Sequence, residues 1–354
     1  MDENPVDIIK GEIESKSGSR DFGMLTLRSA NRTLMEAAMR PDPVDLYHEL
    51  WYEGEVCCLF ADSNLGKSIY AVQMADEIAQ FQNVLYVDCE LSDKQFQLRY
   101  TDPETGNLYQ FPEALTRAEI NPEKMNLKNF EEEIIKNIEE AALTTGSRII
   151  IIDNLTYLCN NSEKGDVAGL FMISLMNLKK KYGWSLLIIA HTPKRSLTSP
   201  ITQNDLAGSK KLYNFFDSVF AIGKSARDES LRYVKQVKVR AGAYRYDSDN
   251  VILYEIVHDR ENVHFEFKGF ANEKEHLKES DDKEKTTLSE NVLELIHQGK
   301  SYREVALALG ISKSLVGNIV KKSEMSTVST ASNGVDSMDN VDSKKKEVKD
   351  ETLF

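Results

Sequence analysis

The chain has 354 residues, a hydrophobic fraction of 41 %, a charged fraction of 29 % and a formal net charge of −13. This composition is that of a folded globular protein, with enough residues for one large domain and a smaller one. The negative charge argues against a surface coated with nucleic acid, although a local basic site remains compatible with it.

Membrane spans, secretion signals and metal-binding cysteine pairs are not indicated. The longest apolar runs, at 149–152 and 186–190, are too short to cross a bilayer, and the first 23 residues are acidic and polar. None of the cysteines forms a C-x-x-C pair; they are Cys57, Cys58, Cys89 and Cys159. We therefore expect a cytoplasmic protein with reduced thiols, no disulfides, no zinc site and no membrane partner.

Strand-like and helix-like segments alternate after a weakly patterned start. We expect residues 1–44 to form a partly disordered N-terminal segment with a helix at 29–39. The stretch that contains Pro103, Pro112 and Pro122 is expected to be irregular. The remaining pattern predicts strands at 55–60, 83–90, 148–153, 184–190 and 218–223. The helices predicted between them are at 67–80, 93–100, 127–143 and 165–182. Such alternation predicts an α/β fold with a doubly wound, mostly parallel sheet.

The periodicity changes after residue 224. The stretches "LRYVKQVKVR", "NVILYEIVH" and "NVHFEFKGF" alternate with period two, which predicts antiparallel strands that extend one edge of the sheet. Composition then divides the rest of the chain. We expect a core domain at 45–270, a charged linker at 271–287, a small helical domain at 288–323 and a disordered tail at 324–354.

The segment "ADSNLGKS" lies between the first core strand and its helix, and differs from the phosphate-binding pattern G-x-x-x-x-G-K-[ST] only at its first residue. In this context backbone N–H groups bind phosphates, Gly66 lets the backbone approach, Lys67 neutralises charge and Ser68 binds Mg²⁺. The alternative is a chance G-K-S at a helix start. The candidate nucleotide-binding residues are Ala61, Asp62, Ser63, Asn64, Leu65, Gly66, Lys67 and Ser68.

Acidic and imidazole groups end the other predicted strands. Asp153 ends "RIIIID", where a carboxylate can hold the Mg²⁺ shell, or where it is simply a solvated strand end. Glu90 follows "VLYVDC" and is a candidate to activate the attacking water, with Asp88 as its competitor. His191 ends "LLIIA", where it can contact a γ phosphate or serve a structural role.

Together these motifs resemble the RecA-type ATPase core over residues 45–270, and most closely the branch of plasmid RepA-type and DnaB-type replication helicases. The resemblance implies ATP and Mg²⁺ as cofactors and a homo-oligomer, either a hexameric ring or a filament. Adenine over guanine is also implied by the resemblance, because the guanine-reading pattern N-K-x-D is missing.

In that family a Lys-x-Arg pair on a late strand reaches the nucleotide of the neighbouring subunit. Lys238 and Arg240 in "QVKVRAG" match this pair by residue type and position. An arginine supplied across an interface stabilises charge on the transferred phosphoryl group. The alternative is a solvated basic strand face, on which Lys235 would also lie.

The family's loops after the His-bearing strand contact nucleic acid. Here that stretch contains a basic island in an acidic protein, with the candidate DNA-binding residues Lys194, Arg195, Lys210 and Lys211. Flexible surface lysines are the alternative. The turn at Gly208 and Ser209 resembles the family's Gly-Ser turn.

The segment "YREVALALGISKSLVGNIVKK" is similar to bacterial helix-turn-helix units, with Ser301 and Ser312 as helix caps and Gly310 in the turn. The residues expected to face a DNA groove are Ser312, Lys313, Ser314 and Asn318. A plain helical bundle or an oligomerisation module is the alternative.

Two functions follow from these motifs. One is an oligomeric ATP-driven DNA motor that acts in replication or recombination of plasmid or mobile-element DNA. The other is an ATP-switched DNA-binding regulator or loader that does not unwind DNA.

Overall fold

The computed structural model describes residues 20–124, 130–155, 165–192, 195–206, 210–240, 242–278 and 281–321. The chain divides into two compact units, residues 1–278 and residues 279–354. Residues 1–19 of the N-terminal segment lie outside the described residues, as do the tail at 324–354, which we expect to be disordered, and Cys159.

The N-terminal segment contains more regular structure than its sequence predicts. The expected helix is confirmed as α1 (Ala30–Ala38), and its cap is Ser29, whose hydroxyl accepts the Arg32 N–H at 3.3 Å. Short strands form two antiparallel hairpins, β1 (Arg20–Phe22) with β2 (Leu25–Leu27) and β3 (Asp45–Tyr47) with β4 (Trp51–Tyr52). These strands have two or three residues each, which is too short for a periodic signal.

A central sheet of nine described strands organises the first unit. Its elements, with the helices between them, are β5 (Val56–Ala61), α2 (Lys67–Ala79), β6 (Val84–Asp88), α3 (Asp93–Arg99), β7 (Leu115–Glu119), α4 (Phe130–Thr145), β8 (Ile149–Asp153), α5 (Gly165–Tyr182), β9 (Ser185–His191), α6 (Lys210–Tyr213), β10 (Ser218–Lys224), β11 (Leu231–Lys238), β12 (Val251–Asp259) and β13 (Asn262–Ala271). The strand order is β13-β12-β11-β10-β5-β9-β8-β6-β7.

The pairing confirms the expected mostly parallel sheet with antiparallel strands at one edge. The six strands from β10 to β7 are parallel, and β11, β12 and β13 continue the sheet as antiparallel strands at one edge. Strand β5 lies between β10 and β9. The next strand along the chain, β6, pairs with β8 on the side away from β9. The chain therefore crosses over β9 and β8 after α2, and ligands of open α/β sheets bind at the carboxyl ends of strands near such a switch.

Two apolar layers cover the two faces of the sheet. Cys57 and Leu59 of β5 pack with Tyr70 and Met74 of α2 on one face. Val56, Cys58 and Phe60 lie in the opposite layer, which contains buried side chains of α4 and α5. This alternation along one strand is what a doubly wound sheet requires, and the complete burial of β5 fixes the position of the loop that follows it.

Two expectations differ from the structure. The stretch expected to be irregular contains β7, a partly exposed edge strand with the sequence "LTRAE", whose charges and short length hide it from pattern analysis. The stretch expected to be a linker at 271–287 contains a 3₁₀ turn at Glu273–His276, where Glu273 and His276 are buried, and the start of the next helix at Asp281. Glu273 is buried because Lys235 neutralises it, which composition alone does not reveal.

The second unit is helical. Its elements are α7 (Asp281–His297), α8 (Tyr302–Leu309) and a helix at 313–321, and their apolar core consists of Val292, Val305, Val316 and Val320. The predicted caps are confirmed, since Ser301 accepts the Glu304 N–H and Ser312 accepts the Leu315 N–H. Gly310 ends α8 with φ of 65°, a left-handed conformation that favours glycine.

Candidate functional site

The loop between β5 and α2 has the conformation expected of a phosphate cradle. Gly66 precedes α2 with φ of 91°, and a Cβ there would lie 2.8 Å from Ile256 and 2.9 Å from the ring of Phe265. Glycine is therefore required for both conformation and space. Ala61 ends β5 as an ordinary strand residue, which explains why alanine can replace the glycine usual at this position.

The N-terminus of α2 is open to an anion. No side chain of the described residues caps it, and its first turn contains no acidic residue. Lys67 begins this helix, and its ammonium donates to the carbonyl oxygens of Ala61 and Asp62, both at 3.0 Å. Burial lowers the pKa of Lys67, whereas the nearby carboxylates of Asp153, Glu90 and Asp62 act in the opposite direction. A buried cation and free helix N–H groups thus converge on one loop.

Asp153 ends β8 next to this loop. One of its carboxylate oxygens, Oδ2, accepts the Tyr86 hydroxyl at 2.7 Å, while Oδ1 has no hydrogen-bond partner within the described part of the chain. Burial raises the pKa of Asp153 to about 6, against the effect of the hydrogen bond from Tyr86 and of the nearby Ser68 hydroxyl. An unpartnered buried oxygen is costly unless a cation or water meets it.

These donors fit a magnesium ion. Mg²⁺ in nucleotide sites is held by one or two protein oxygens, by water and by the substrate's phosphates. Ser68 lies close enough to Asp153 to stabilise its charged form, so a hydroxyl and a carboxylate are available together. Among the described residues there is no group of three or more His, Cys, Asp or Glu side chains that could hold a metal without such a substrate.

Glu90 and His191 come together at the same edge. The register pairs His191 of β9 with Ala61 of β5, so the histidine lies beside the start of the loop. Its Nε2 lies 3.3 Å from Glu90 Oε1 and 3.0 Å from the side-chain nitrogen of Asn154, which also donates to Glu90 Oε1. The glutamate remains partly exposed, with 42 % of its side chain accessible. An attacking water could therefore reach it.

Asn154 is a site residue that sequence reasoning missed. It follows Asp153 directly and is almost completely buried. Its position in "RIIIIDN" is the only sequence signal for it, because Glu90 and His191 lie 64 and 37 residues away.

The alternative base, Asp88, is fully engaged in structural contacts. Its Oδ1 accepts the backbone N–H groups of Glu90 and Leu91, and its Oδ2 accepts Nε of Arg117 at 3.0 Å. Arg117 belongs to β7, the strand that the sequence did not reveal, and it also contacts Asp93. Asp88 thus shapes the turn that presents Glu90, and of the two carboxylates that of Glu90 is the accessible one.

Lys238 and Arg240 lie far from the loop of their own chain. Arg240 donates to Asp217 at 2.6 Å, and Asp217 accepts the N–H of Val56, the first residue of β5. The loop follows the last residue of β5, five residues or about 17 Å further along the strand. The ammonium of Lys238 donates to the Tyr213 carbonyl and lies 4.8 Å from the centre of the Tyr213 ring. The pair thus occupies the amino edge of the sheet.

Lys235 does not lie on a solvated strand face. It is 7 % exposed, and its ammonium bonds the Glu273 carboxylate at 2.6 Å and the Ile201 carbonyl at 2.8 Å. Lys235 is therefore part of a buried ion pair, in contrast to the partly exposed Lys238 and the exposed Arg240.

The candidate DNA-binding residues fall into two groups. In the first unit, Arg195 is half-buried and bonds the Ser199 carbonyl, Lys210 and Lys211 begin α6, and Lys194 lies outside the described residues together with the turn at 208–209. In the second unit the four predicted residues are all exposed at or near the start of the last helix: Ser312, Lys313, Ser314 and Asn318.

One family model matches the part of the chain that contains this site. Residues 28–196 match the model of the AAA domain family, a range that includes the loop, Glu90, Asp153 and His191. Among solved structures, the fold is similar to a KaiC-like protein from the hyperthermophilic archaeon Pyrococcus horikoshii, with 12 % identity and a TM-score of 0.46, covering 62 % of this chain and 94 % of that one. None of the curated proteins compared with the sequence matches it significantly.

The family match and the sheet topology together support a RecA-type, nucleotide-binding ATPase domain. Within the described residues, no helix has the length and apolarity that a bilayer crossing requires.

Proposed function

We propose that this protein is an oligomeric, ATP-hydrolysing DNA motor, a RepA-like helicase or DNA-remodelling ATPase that acts on plasmid or mobile-element DNA. One observation carries the ATPase part. A buried lysine, a carboxylate with one oxygen that has no partner among the described residues, and an accessible glutamate meet at the carboxyl ends of the parallel strands. These residues are Lys67, Asp153 and Glu90.

The proposed nucleotide site uses the loop and both of its flanking elements. The loop N–H groups and Lys67 bind the β and γ phosphates of ATP, and the ammonium exchanges its two carbonyl partners for phosphate oxygens. When bound, Mg²⁺ neutralises phosphate charge. Ser68 and Asp153 are the residues that would hold it.

Glu90 is the proposed general base. Its carboxylate accepts a proton from the attacking water, and Asn154 and His191 orient it through the contacts at Oε1. His191 is also placed to contact the γ phosphate, because it pairs with the residue that begins the loop.

Assembly of several copies completes the proposed site. Since Lys238 and Arg240 occupy the opposite edge from their own loop, they can serve only the nucleotide of another copy. Such an arrangement makes hydrolysis depend on a homo-oligomer, a hexameric ring or a filament.

DNA is the proposed partner of both units. The loop after β9 supplies Lys194, Arg195, Lys210 and Lys211, and the second unit acts as a helix-turn-helix through Ser312, Lys313, Ser314 and Asn318. The exposure of all four residues in the second unit supports this proposal, because none of them is needed for the valine core.

An ATP-switched regulator or loader is the second candidate. The exposed residues of the helix at 313–321 favour it, since site-specific duplex binding is more than translocation requires. Two assays separate the candidates: the ATPase rate with and without single-stranded DNA, and strand displacement. Strong stimulation with unwinding supports the motor, whereas ATP-dependent duplex binding without unwinding supports the switch.

A further inference from the structure

Asp153 and Asp88 are neighbours with different partners. They are paired in register on β8 and β6, and both are buried. Asp88 is neutralised by the guanidinium of Arg117, whereas Asp153 receives a neutral donor, the hydroxyl of Tyr86, at 2.7 Å.

The Tyr86 contact leaves the charge of Asp153 available. A hydroxyl donor holds a carboxylate without cancelling its charge, whereas an arginine partner would compete with a bound cation. Tyr86 lies two residues before Asp88 on β6 and is 2 % exposed, so its ring is fixed by the core. Its bond to Oδ2 therefore selects one orientation of the carboxyl group.

The selected orientation leaves Oδ1 as the only oxygen of Asp153 without a partner in the described part of the chain. The Ser68 side chain lies close enough to Asp153 to influence it. Without the Tyr86 bond, the Asp153 side chain could rotate about its two bonds and direct either oxygen at the nearby donors. Orientation of ligand groups by a second layer of hydrogen bonds is a general determinant of metal affinity.

We propose that Tyr86 is a positioning residue for the divalent cation of the nucleotide site. Its hydroxyl holds Oδ2 of Asp153 so that Oδ1 faces the cation shell beside Ser68. This inference rests on the proposed nucleotide site and adds a residue that the phosphate-loop pattern does not contain.

The test is Mn²⁺ binding in the presence of a non-hydrolysable ATP analogue, measured by electron paramagnetic resonance. Tyr86→Phe removes only the hydroxyl and is expected to weaken Mn²⁺ binding about tenfold, the effect of one hydrogen bond to a charged group. Its affinity for the analogue in EDTA is expected to stay unchanged, because Tyr86 does not contact the loop through its hydroxyl.

Tyr100→Phe is the matched control. Tyr100 is also buried, and its hydroxyl has no hydrogen-bond partner among the described residues, so its removal is expected to leave Mn²⁺ binding as in the wild type. In an Asp153→Asn background, Tyr86→Phe is expected to have no further effect on Mn²⁺ affinity. This double-mutant comparison remains informative if Tyr86→Phe also lowers the melting temperature.

Equal Mn²⁺ affinity of Tyr86→Phe and the wild type would overturn the proposal. A loss of analogue affinity in EDTA as large as the loss of Mn²⁺ affinity would also overturn it, because it would indicate a general disturbance of the fold. Failure of the wild type to bind the analogue with Mn²⁺ would instead refute the proposed nucleotide site itself, and Tyr86 would have no cation to position.

Discussion

The side-chain nitrogen of Asn154 donates to Oε1 of Glu90 and lies 3.0 Å from Nε2 of His191, so one buried amide contacts both. The two residues come from the ends of β6 and β9, which are not neighbours in the sheet. Asn154 therefore connects the proposed base with the residue that lies beside the phosphate loop.

This contact predicts graded effects on hydrolysis. Glu90→Gln is expected to slow single-turnover ATP hydrolysis about 10²- to 10⁴-fold, because the amide cannot accept the proton of the attacking water. Asn154→Ala is expected to slow it less, since the base is misplaced but present. Both are expected to retain Mg-ATP binding. Glu119→Gln, at the end of the neighbouring strand β7, is the control and should hydrolyse normally. Normal hydrolysis by Glu90→Gln would exclude Glu90 as the base.

The position of Arg240 predicts complementation between inactive variants. Arg240→Ala and Lys67→Ala are each expected to be inactive alone, because each removes one side of a shared site. Mixed in equal amounts, they should recover about a quarter of wild-type activity, as random assembly pairs an intact loop with an intact arginine at about one interface in four. The measurement is the steady-state ATPase rate after subunit exchange.

Arg245→Ala is the matched control for this experiment. Arg245 is exposed to a similar degree, 58 % against 54 % for Arg240, and it also forms a surface ion pair. It is expected to retain activity. If Arg240→Ala alone hydrolyses ATP at the wild-type rate, Arg240 has no role in a shared site.

The ion pair between Lys235 and Glu273 predicts a large effect on stability. Glu273 is completely buried and also accepts the Ile201 N–H at 2.7 Å, so it ties the loop after β9 to β11. Glu273→Gln is expected to lower the free energy of unfolding by about 3–5 kcal/mol, because Lys235 keeps a buried and uncompensated charge.

Urea denaturation measures this effect. The double variant Lys235→Met and Glu273→Leu is expected to recover part of the loss, since no unpaired charge remains. Lys268→Ala, which breaks a half-exposed pair with Glu255, is the control and should change stability little. A loss in Glu273→Gln no larger than in this control would contradict the structural account.

The exposed residues of the second unit predict its contribution to duplex binding. Lys313→Gln is expected to weaken duplex DNA binding and to reduce the magnitude of the salt-dependence slope by about 1, the change expected for one phosphate contact. Gln298→Glu serves as the control, because it changes the net charge by the same amount at an exposed position in the turn between α7 and α8. Equal effects of the two substitutions would indicate general electrostatics and remove the helix-turn-helix assignment. Basal ATP hydrolysis should be unchanged in both.

Most of the sheet could be predicted because its parallel strands are buried on both faces and appear as apolar runs. The same runs located Lys67, Glu90, Asp153 and His191, since each of these residues lies at or beyond the end of such a run. The short edge strand β7 and the buried Glu273 escaped prediction because charged residues dominate both segments.

The side-chain partners could not be predicted at all. Tyr86 reads as one more aromatic residue of a core strand, and Arg117 as a surface charge, until the sheet brings them next to Asp153 and Asp88. Their roles depend on strand order, which places β6 between β8 and β7, and no local pattern encodes that order.

Equilibrium binding of a fluorescent ATP analogue in the presence of Mg²⁺ tests the central claim most directly. The wild type and Lys94→Ala, which removes an exposed lysine of α3, are expected to bind saturably, and Lys67→Ala is expected to bind about 10- to 100-fold more weakly. The absence of saturable binding by the wild type, or equal affinity of Lys67→Ala, would contradict a triphosphate site in the loop between β5 and α2.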